Sequence, residues 1–439
     1  MAALPEEISV ELGLDDADDP EALRVRAARE LGLRAADLPE IEVRKRSLDA
    51  RKGRVRFHLV LGLGRPTTAE LGGPPPREVG RGAPVIVVGD GPAGMFAAYE
   101  LARRGIGSLV LERGKPVQPR RRDLKLLNRA GSVDPDSNYC FGEGGAGTYS
   151  DGKLYTRSHK RGSVRDVLEV LALHGAPSSV LVDARPHIGS NRLPQVVTAI
   201  RERLESVGVE FRFGARVTDL VTEGAGTSRR VTGVRLADGS ELGARAVVLA
   251  TGHSARDVHR LLERAGVKLE PKPFALGVRI EHPQALVNRI QYGSHAGHPK
   301  LPAAAYRLAE EVDGRGVFSF CMCPGGWVVP ASTESEALVV NGMSLSRRDS
   351  PFANSGLVVA VELADLGRAG YSGAFAGVEL QSAIERSAFG AGGGKLVAPA
   401  VRATDFVAGR SSSTLPDTSY IPGLACADLA AVLDSGAWL

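Results

Sequence analysis

A glycine-rich segment, GDGPAG at residues 89–94, has the spacing through which backbone amides bind a dinucleotide. Gly89 permits a tight turn, Gly91 leaves room for a pyrophosphate to approach the backbone, and Gly94 permits close packing of a helix on a strand. Pro92 and Ala93 lie where such a helix begins. Its free N–H groups and the positive end of its dipole then face the phosphates. The segment therefore predicts dinucleotide binding rather than a glycine turn without a ligand.

An acidic residue stands where the same motif requires one. Glu112 follows Gly94 by 18 residues and ends the apolar run SLVLE. A carboxylate at this place accepts hydrogen bonds from ribose hydroxyls and repels a 2′-phosphate. Arg113 comes directly after it and is a candidate contact of the same nucleotide.

Two later segments favour FAD over NAD, which the first motif alone does not separate. Residues 141–152, FGEGGAGTYSDG, are dense in glycine, so the backbone there can approach a large planar cofactor and its phosphates. Residues 250–252, ATG, end the apolar strand ARAVVL and return the chain to the sheet of the first motif. A flexible surface loop and an ordinary strand-to-helix turn are the simpler interpretations of these two segments.

Cys321 and Cys323, in the run FCMCPGG, are further candidate redox groups. Dithiols beside a flavin pass electrons in thiol–disulfide reductases, but a disulfide across C-x-C closes a small, strained ring. The spacing favours a structural strand-to-turn segment and leaves a redox role open. No second Cys or His pair stands at ligand spacing, so no metal site is predicted. No catalytic residue is assigned either, because a flavin itself carries hydride or electrons.

The composition excludes several classes of protein. Of 439 residues, 43% are hydrophobic and 24% charged, which is ample for a core and excludes disorder as the main state. No apolar run approaches eighteen residues, so no membrane-spanning helix is predicted. The acidic start MAALPEEISVELGLDD is unlike a secretory signal, and four cysteines make no disulfide framework. We therefore expect a cytoplasmic protein.

Charge is concentrated in one stretch. The net charge of +4 does not by itself indicate nucleic acid, but residues 113–129 (RGKPVQPRRRDLKLLNR) hold seven basic side chains and one aspartate. A solvated surface is the simplest interpretation. Phosphate binding beside the cofactor and contact with RNA are the alternatives.

The elements that must position these residues fall into five segments. Residues 1–66 read as a small α+β module of β-α-β-β order, and residues 67–83 as a Pro/Gly-rich linker. Residues 84–266 begin with the apolar strand PVIVVG and form the dinucleotide-binding domain. Residues 267–400 are mixed and β-rich, with strand-like FALGVRI, VFSFCMC, WVVPA and ALVVNG, and residues 401–439 start a return to the preceding domain. The predicted fold class is α/β: a Rossmann-like FAD-binding domain with an inserted β-rich substrate domain and a small N-terminal α+β module.

With these motifs the chain resembles the two-dinucleotide-binding-domain flavoproteins, the class of glutathione reductase. Within that class, the strings FGEGGAGTYSDGKLYTR, ATGHSARDV, PFALGVRIEHPQ, FCMCPGG, GGGKLVAPA and RKRSLDARKG resemble a family of bacterial FAD-dependent dehydrogenases of unassigned substrate. The resemblance covers nearly the entire chain. It implies bound FAD, with the adenosine ribose on Glu112 and the pyrophosphate on residues 89–94. It also implies FAD contacts from Gly144, Gly145, Thr251 and Gly252, with Val217 against the adenine.

The sequence departs from that class near its end. These flavoproteins normally return to a strand followed by G-D or G-E and a glycine-rich helix start. Here DSGAWL follows soon after SYIPGLACADL, so we expect a truncated return to the FAD domain. An inactive truncated flavoprotein is therefore one alternative.

The sequence predicts an FAD-dependent oxidoreductase that passes hydride or electrons from or to a small-molecule substrate. NAD(P)H is a candidate reductant, although no second G-x-G-x-x-G indicates a separate nicotinamide domain. A flavin-dependent RNA-modifying protein is the other alternative, because of the basic stretch 113–129. Neither the substrate nor the oligomeric state follows from the sequence.

Overall fold

The computed structural model describes residues 4–64, 72–156 and 162–433. The strands in this part of the chain are β1 Glu7–Leu12, β2 Ile41–Asp49, β3 Arg56–Leu63, β4 Val85–Val88, β5 Ser108–Glu112, β6 Glu210–Phe213, β7 Val217–Glu223, β8 Arg230–Leu236, β9 Glu241–Gly243, β10 Ala246–Leu249, β11 Phe274–Pro283, β12 Ala309–Val312, β13 Arg315–Cys323, β14 Gly326–Pro330, β15 Val340–Ser344, β16 Phe352–Val361, β17 Ala398–Ala400 and β18 Leu424–Cys426. The α-helices are α1 Pro20–Leu31, α2 Pro92–Arg103, α3 Val117–Ala130, α4 Val164–Leu173, α5 Leu193–Glu205, α6 Arg256–Arg264, α7 Gln284–Tyr292, α8 Leu363–Arg368, α9 Ala376–Ala391, α10 Ala403–Val407 and α11 Leu429–Leu433.

The first sheet is antiparallel, in the order β1-β3-β2, and is followed along the chain by residues 72–84, which form no helix or strand. The element order β-α-β-β is the one that the sequence pattern predicts. Helix α1 begins where the Asp19 side chain accepts a hydrogen bond from the Glu21 amide, and it ends at Gly32 in the left-handed conformation. The core of this sheet continues into Val287 and Tyr292 of α7, so the module packs on the β-rich part of the chain.

A parallel sheet in the order β10-β4-β5-β6 carries the glycine motif. Strand β4 is buried along its whole length, as expected for a strand covered on both faces. On one face Val87 and Val110 pack against helices α2, α4 and α5. On the other face Ile86 and Leu111 pack against the antiparallel sheet β7-β8-β9. The Asp-Gly hairpin that the sequence predicts joins β8 to β9.

The β-rich region is built on an antiparallel sheet in the order β11-β16-β13-β12, with the pair β14-β15 beside it. Four of its strands, β11, β13, β14 and β15, fall on the strand-like runs of the sequence. Strand β16 does not, because most residues of its first half, FANSG, are small or polar and show no alternation of apolar and polar side chains. Helix α9 packs on this sheet through Leu380 and Ile384.

Two predictions fall partly or wholly outside the described residues: the linker 67–83 at residues 67–71, and the closing DSGAWL entirely. Among the helices that the structure describes, none is both long and apolar enough to cross a membrane.

Candidate cofactor site

The candidate site lies at the carboxyl ends of β4 and β10. The chain runs from β4 outward through β5 and β6 and then returns to the opposite side of β4, so the strand order reverses there. Open parallel sheets bind ligands at such a reversal. Gly89 follows β4 and Thr251 follows β10. A Cβ on Gly89 would lie 2.6 Å from the Ala250 carbonyl oxygen, so these two segments are in direct backbone contact.

The glycines of the first motif serve different purposes. A Cβ on Gly94 would overlap the Gly89 carbonyl oxygen, so Gly94 is needed for α2 to pack on the turn. A Cβ on Gly91 would meet nothing closer than the Gly145 Cα at 3.9 Å, an ordinary contact. Gly91 is the N-cap of α2, and no described side chain caps that end, while Pro92 and Ala93 are exposed in the first turn. The protein's own packing therefore does not require glycine at position 91.

The second glycine segment lies directly on the first. A Cβ on Gly145 would be 2.8 Å from the Gly91 Cα, and one on Gly147 would be 3.1 Å from Pro92 Cγ. Gly144 is buried at φ +72° against Val197 of α5. A short 3₁₀ turn, Gly145–Gly147, thus covers the start of α2.

Glu112 joins these segments through its carboxylate. Its Oε2 accepts a hydrogen bond from the Asp90 amide at 2.9 Å, and its Oε1 accepts from the Gly114 and Gly142 amides, also at 2.9 Å. The side chain is almost fully buried. A carboxylate offers about four acceptor positions, so three are used by the backbone and about one remains for a ligand.

One cleft is lined by five of the site residues that the sequence predicts. They are Gly89, Glu112, Arg113, Val217 and Thr251. In the wall of the cleft the Arg113 guanidinium stacks over the Phe141 ring at 4.4 Å. It also pairs with Asp136 at 2.7 Å and with Asp257 at 3.0 Å.

Gly252 is exposed next to Thr251 at φ +71°, and a Cβ there would meet nothing within 4 Å. Like Gly91, it leaves open space that no described neighbour fills.

Arg120 corrects the simplest interpretation of the basic stretch, since this residue is completely buried rather than solvated. Its guanidinium donates to four backbone carbonyl oxygens, those of Asn138, Tyr139, Glu143 and Gly145, at 2.8–3.1 Å.

The sequence carries a signal for the burial of Arg120. It lies at helical spacing between Val117 and Leu124 on the buried face of α3. Of the basic residues of α3, Arg120 is thus buried, whereas Arg121, Arg122, Lys125 and Arg129 are exposed.

Asp90 was also missed as a functional candidate. It fills a position where the motif allows any residue, yet its side chain is almost completely buried, and its Oδ2 has no hydrogen-bond partner among the described residues. Burial raises the pKa of Asp90 well above its ordinary value, and the carboxylates of Glu112 and Glu143 raise it further. Asp90 therefore keeps its proton to a higher pH than an exposed aspartate does.

Cys321 and Cys323 lie apart from this cleft, at the end of β13, where the chain turns into β14. The strand-to-turn interpretation describes their backbone correctly. Within the described residues, no group of three or more His, Cys, Asp or Glu side chains is arranged to hold a metal ion.

Comparison with known families finds three matching segments. Residues 186–337 match a family described as FAD dependent oxidoreductase, and residues 273–437 match "FAD-dependent protein, C-terminal domain-like". Residues 4–63 match a domain of unknown function. An uncharacterized protein of Clostridium beijerinckii (strain ATCC 51743 / NCIMB 8052) is 38% identical over 437 residues, covering 94% of this chain and 80% of that protein.

Solved structures with similarity include THI4 of Thermovibrio ammonificans, at 21% identity and a TM-score of 0.31, over 43% of this chain and 66% of that one. PqsL of Pseudomonas aeruginosa, titled a probable FAD-dependent monooxygenase, is 16% identical at a TM-score of 0.29, over 68% of this chain and 66% of PqsL. The chain thus spans just under two thirds of each solved protein. At such TM-scores these structures carry no argument about the site.

Proposed function

This chain belongs to an FAD-dependent oxidoreductase family, and we propose that the cleft between the ends of β4 and β10 holds the ADP half of its FAD. The chain is an enzyme that transfers hydride or electrons through FAD.

The observation that carries the proposal is the open space at Gly91. Glycine is required at positions 89, 94 and 145 by the protein's own backbone contacts, but at position 91 the protein leaves room for a side chain. A phosphate that approaches the first turn of α2 would use that room. The residues present therefore fit a dinucleotide, since the amides of this turn are uncapped by described side chains.

The surrounding residues have distinct parts in this arrangement. Glu112 accepts from a ribose hydroxyl with its remaining lone pair while it holds the three segments together. Val217 and Arg113 line the part of the cleft that would hold the adenosine, and Gly144, Gly145, Thr251 and Gly252 would present backbone to the diphosphate. When bound, FAD supplies the group that accepts and donates hydride or electrons.

The substrate that we propose is a small molecule, which reaches the flavin where the parallel sheet meets the β-rich region, the usual place for such clefts. NAD(P)H is the proposed reductant. Anaerobic mixing of the FAD-loaded protein with NADH or NADPH tests this, because reduction bleaches the flavin absorbance near about 450 nm. An unchanged spectrum with both would exclude this reductant.

Gly91→Ala tests the position of FAD. Alanine is tolerated by the backbone at position 91, where φ is −73°, and as a poorer N-cap than glycine it should cost only about 1 kcal/mol of stability. Its methyl group occupies the phosphate space, so we expect FAD affinity to fall by about tenfold or more. The readout is the dissociation constant from flavin fluorescence on titration of the apoprotein.

Gly390→Ala is the matched control. Gly390 lies in α9, where a Cβ would meet nothing within 4 Å, and it is not among the residues that line the cleft. We expect unchanged FAD affinity for this variant. If Gly91→Ala and the native protein bind FAD with equal affinity, the proposed site is wrong, whereas the family assignment still holds.

A further inference from the structure

A second cluster of chemically active side chains is centred on Lys153. Its Nζ lies 2.8 Å from Asp151 Oδ2, 3.3 Å from Cys323 Sγ and 3.7 Å from Cys321 Sγ. An ammonium group has three N–H donors, so these acceptors use all of them. Lys153 lies 168 and 170 residues away from the two cysteines in sequence, and the fold alone brings them together.

Positive charge exceeds negative charge around the two sulfurs. Arg279 places a guanidinium nitrogen 3.7 Å from Cys323 Sγ and donates to the Cys321 carbonyl oxygen at 2.9 Å. Its other acceptors are the neutral side-chain amides of Asn354 and Asn341.

Asp151 supplies one negative charge to this cluster and pairs with two cations, Lys153 and Arg348, each at 2.8 Å. Lys153, Arg279 and Arg348 therefore face a single carboxylate. A thiolate at the cysteine pair would offset part of the remaining positive charge.

A bulge in β13 gives the two cysteines different environments. The pairing of β13 with β16 shifts register between Phe320 and Cys323, and Cys321 adopts φ +48° in the left-handed region. Residues two apart in a regular strand face the same side. Here Cys321 is exposed while Cys323 is completely buried. The bulge thus presents one sulfur to solvent and keeps its neighbour inside.

The two thiols share one ionisation. A hydrogen bond from Cys323, together with the charges of Lys153 and Arg279 and against the effect of burial, lowers the pKa of Cys321 to about 5. The same hydrogen bond and burial raise the pKa of Cys323 well above its ordinary value. The pair therefore carries one negative charge at neutral pH, and only the sulfur of Cys321 is accessible.

We propose that Cys321 is a nucleophilic thiolate that reacts with small anionic disulfides to form a mixed disulfide. The Cys321 Sγ attacks one sulfur of R–S–S–R, a bond forms between them, the original S–S bond breaks, and RS⁻ leaves. The thiolate of Cys321 is oxidised, the departing sulfur is reduced, and no further electron acceptor is needed. The positive charge of Lys153 and Arg279 favours a disulfide that carries carboxylates. The reaction needs no flavin, so it stands apart from the proposed cofactor site.

The experiment measures the rate at which the full chain reacts with 5,5′-dithiobis(2-nitrobenzoate), a disulfide with two carboxylates, from about pH 6 to about pH 9. An ordinary thiol with a pKa of about 8.5 accelerates by about 200-fold over this range. We expect the fast phase of the native protein to change by less than about threefold, because Cys321 is already ionised at the lower limit. Cys426→Ser removes the other exposed thiol beforehand.

Two variants then separate the roles. Cys321→Ser should abolish the fast phase, and mass analysis should place the adduct of the parent protein on Cys321. Lys153→Gln, a change at a positioning residue, should raise the pKa of Cys321 and make the rate rise more with pH than it does in the native protein. A steep rise in the native protein, or an adduct only on another cysteine, would overturn the proposal. The reaction proceeds on apoprotein, so its failure would not argue against the proposed FAD site. Likewise, failure of the FAD-binding test would not argue against the thiol chemistry.

Discussion

Asp90 is close enough to Glu112 and Glu143 for both carboxylates to raise its pKa, in addition to the effect of burial. Glu143 Oε2 accepts from the Val117 amide at 2.7 Å, and its Oε1 accepts from Arg201 at 2.8 Å. Glu112 is held by three amides. Both carboxylates are thus held in place by hydrogen-bond donors, and burial together with these two neighbours raises the pKa of Asp90.

The replacement Asp90→Asn should therefore change how stability depends on pH. In the unfolded chain Asp90 ionises near about pH 3.9, whereas burial raises its pKa in the folded protein. Between these two pKa values folding takes up a proton, so the native protein loses stability as pH rises. Asparagine does not titrate and should remove this loss. Thermal unfolding measured from about pH 4 to about pH 8 should show the stability of the Asp90→Asn variant increasing relative to that of the native protein as pH rises. A difference in stability that does not change with pH would contradict this prediction.

At the scale of elements, α3 is attached to the glycine-rich loop by Arg120. The guanidinium fills the space under the loop and satisfies four carbonyl oxygens, three of them in buried hydrogen bonds. A Cβ on Gly142 would lie 2.5 Å from Arg120 Cδ, so the loop backbone closes directly over the side chain. The shape of this loop, and with it the position of Gly145 against Gly91, depends on a residue from another element.

Arg120→Ala should consequently cost about 3 kcal/mol or more of folding free energy, because it leaves several buried carbonyl groups without donors. FAD affinity should fall with it, since the loop loses its support. Arg122→Ala is the control on the same helix, where the side chain is exposed, and we expect a change within about 0.5 kcal/mol. Urea unfolding of both variants measures the difference. Equal stabilities would show that Arg120 is dispensable.

The part of the site that is local in sequence was predictable. The turn at residues 89–94 and helix α2 follow directly from a buried strand, three glycines and helical spacing. The contact of Gly145 with Gly91 and that of Lys153 with Cys323 were not predictable, because they join segments that only the folded chain brings together. Strand β16 was missed for a related reason: its burial comes from neighbouring strands, while its own residues show no clear alternation.

At the scale of the whole molecule, Asp151 joins the parallel-sheet region to the β-rich region. It accepts from the Ser344 hydroxyl of β15 and from Arg348. Close by, the Ser190 amide donates to the Ser344 carbonyl oxygen at 3.1 Å, and Gly189 approaches the Ser346 backbone so closely that a Cβ would overlap it. The two regions therefore meet through a polar junction with one buried carboxylate at its centre, next to the thiol cluster.

Asp151→Asn should loosen this junction and make its contribution to stability vanish in acid. Burial works to raise the pKa of Asp151, but Lys153 and Arg348 outweigh it and hold the pKa below its ordinary value. The stabilisation is therefore complete above the unfolded pKa of about 3.9 and is lost as pH falls below it. We expect the native protein to exceed the Asp151→Asn variant in stability by about 2 kcal/mol at neutral pH, since both cations are partly exposed. This difference in stability should disappear below about pH 4. Amide exchange at residues 344–348 should be faster in the variant. The control Asp417→Asn, at an exposed position, should leave both the stability and the exchange unchanged. A gap that persists in acid would place the stabilisation in packing rather than in charge.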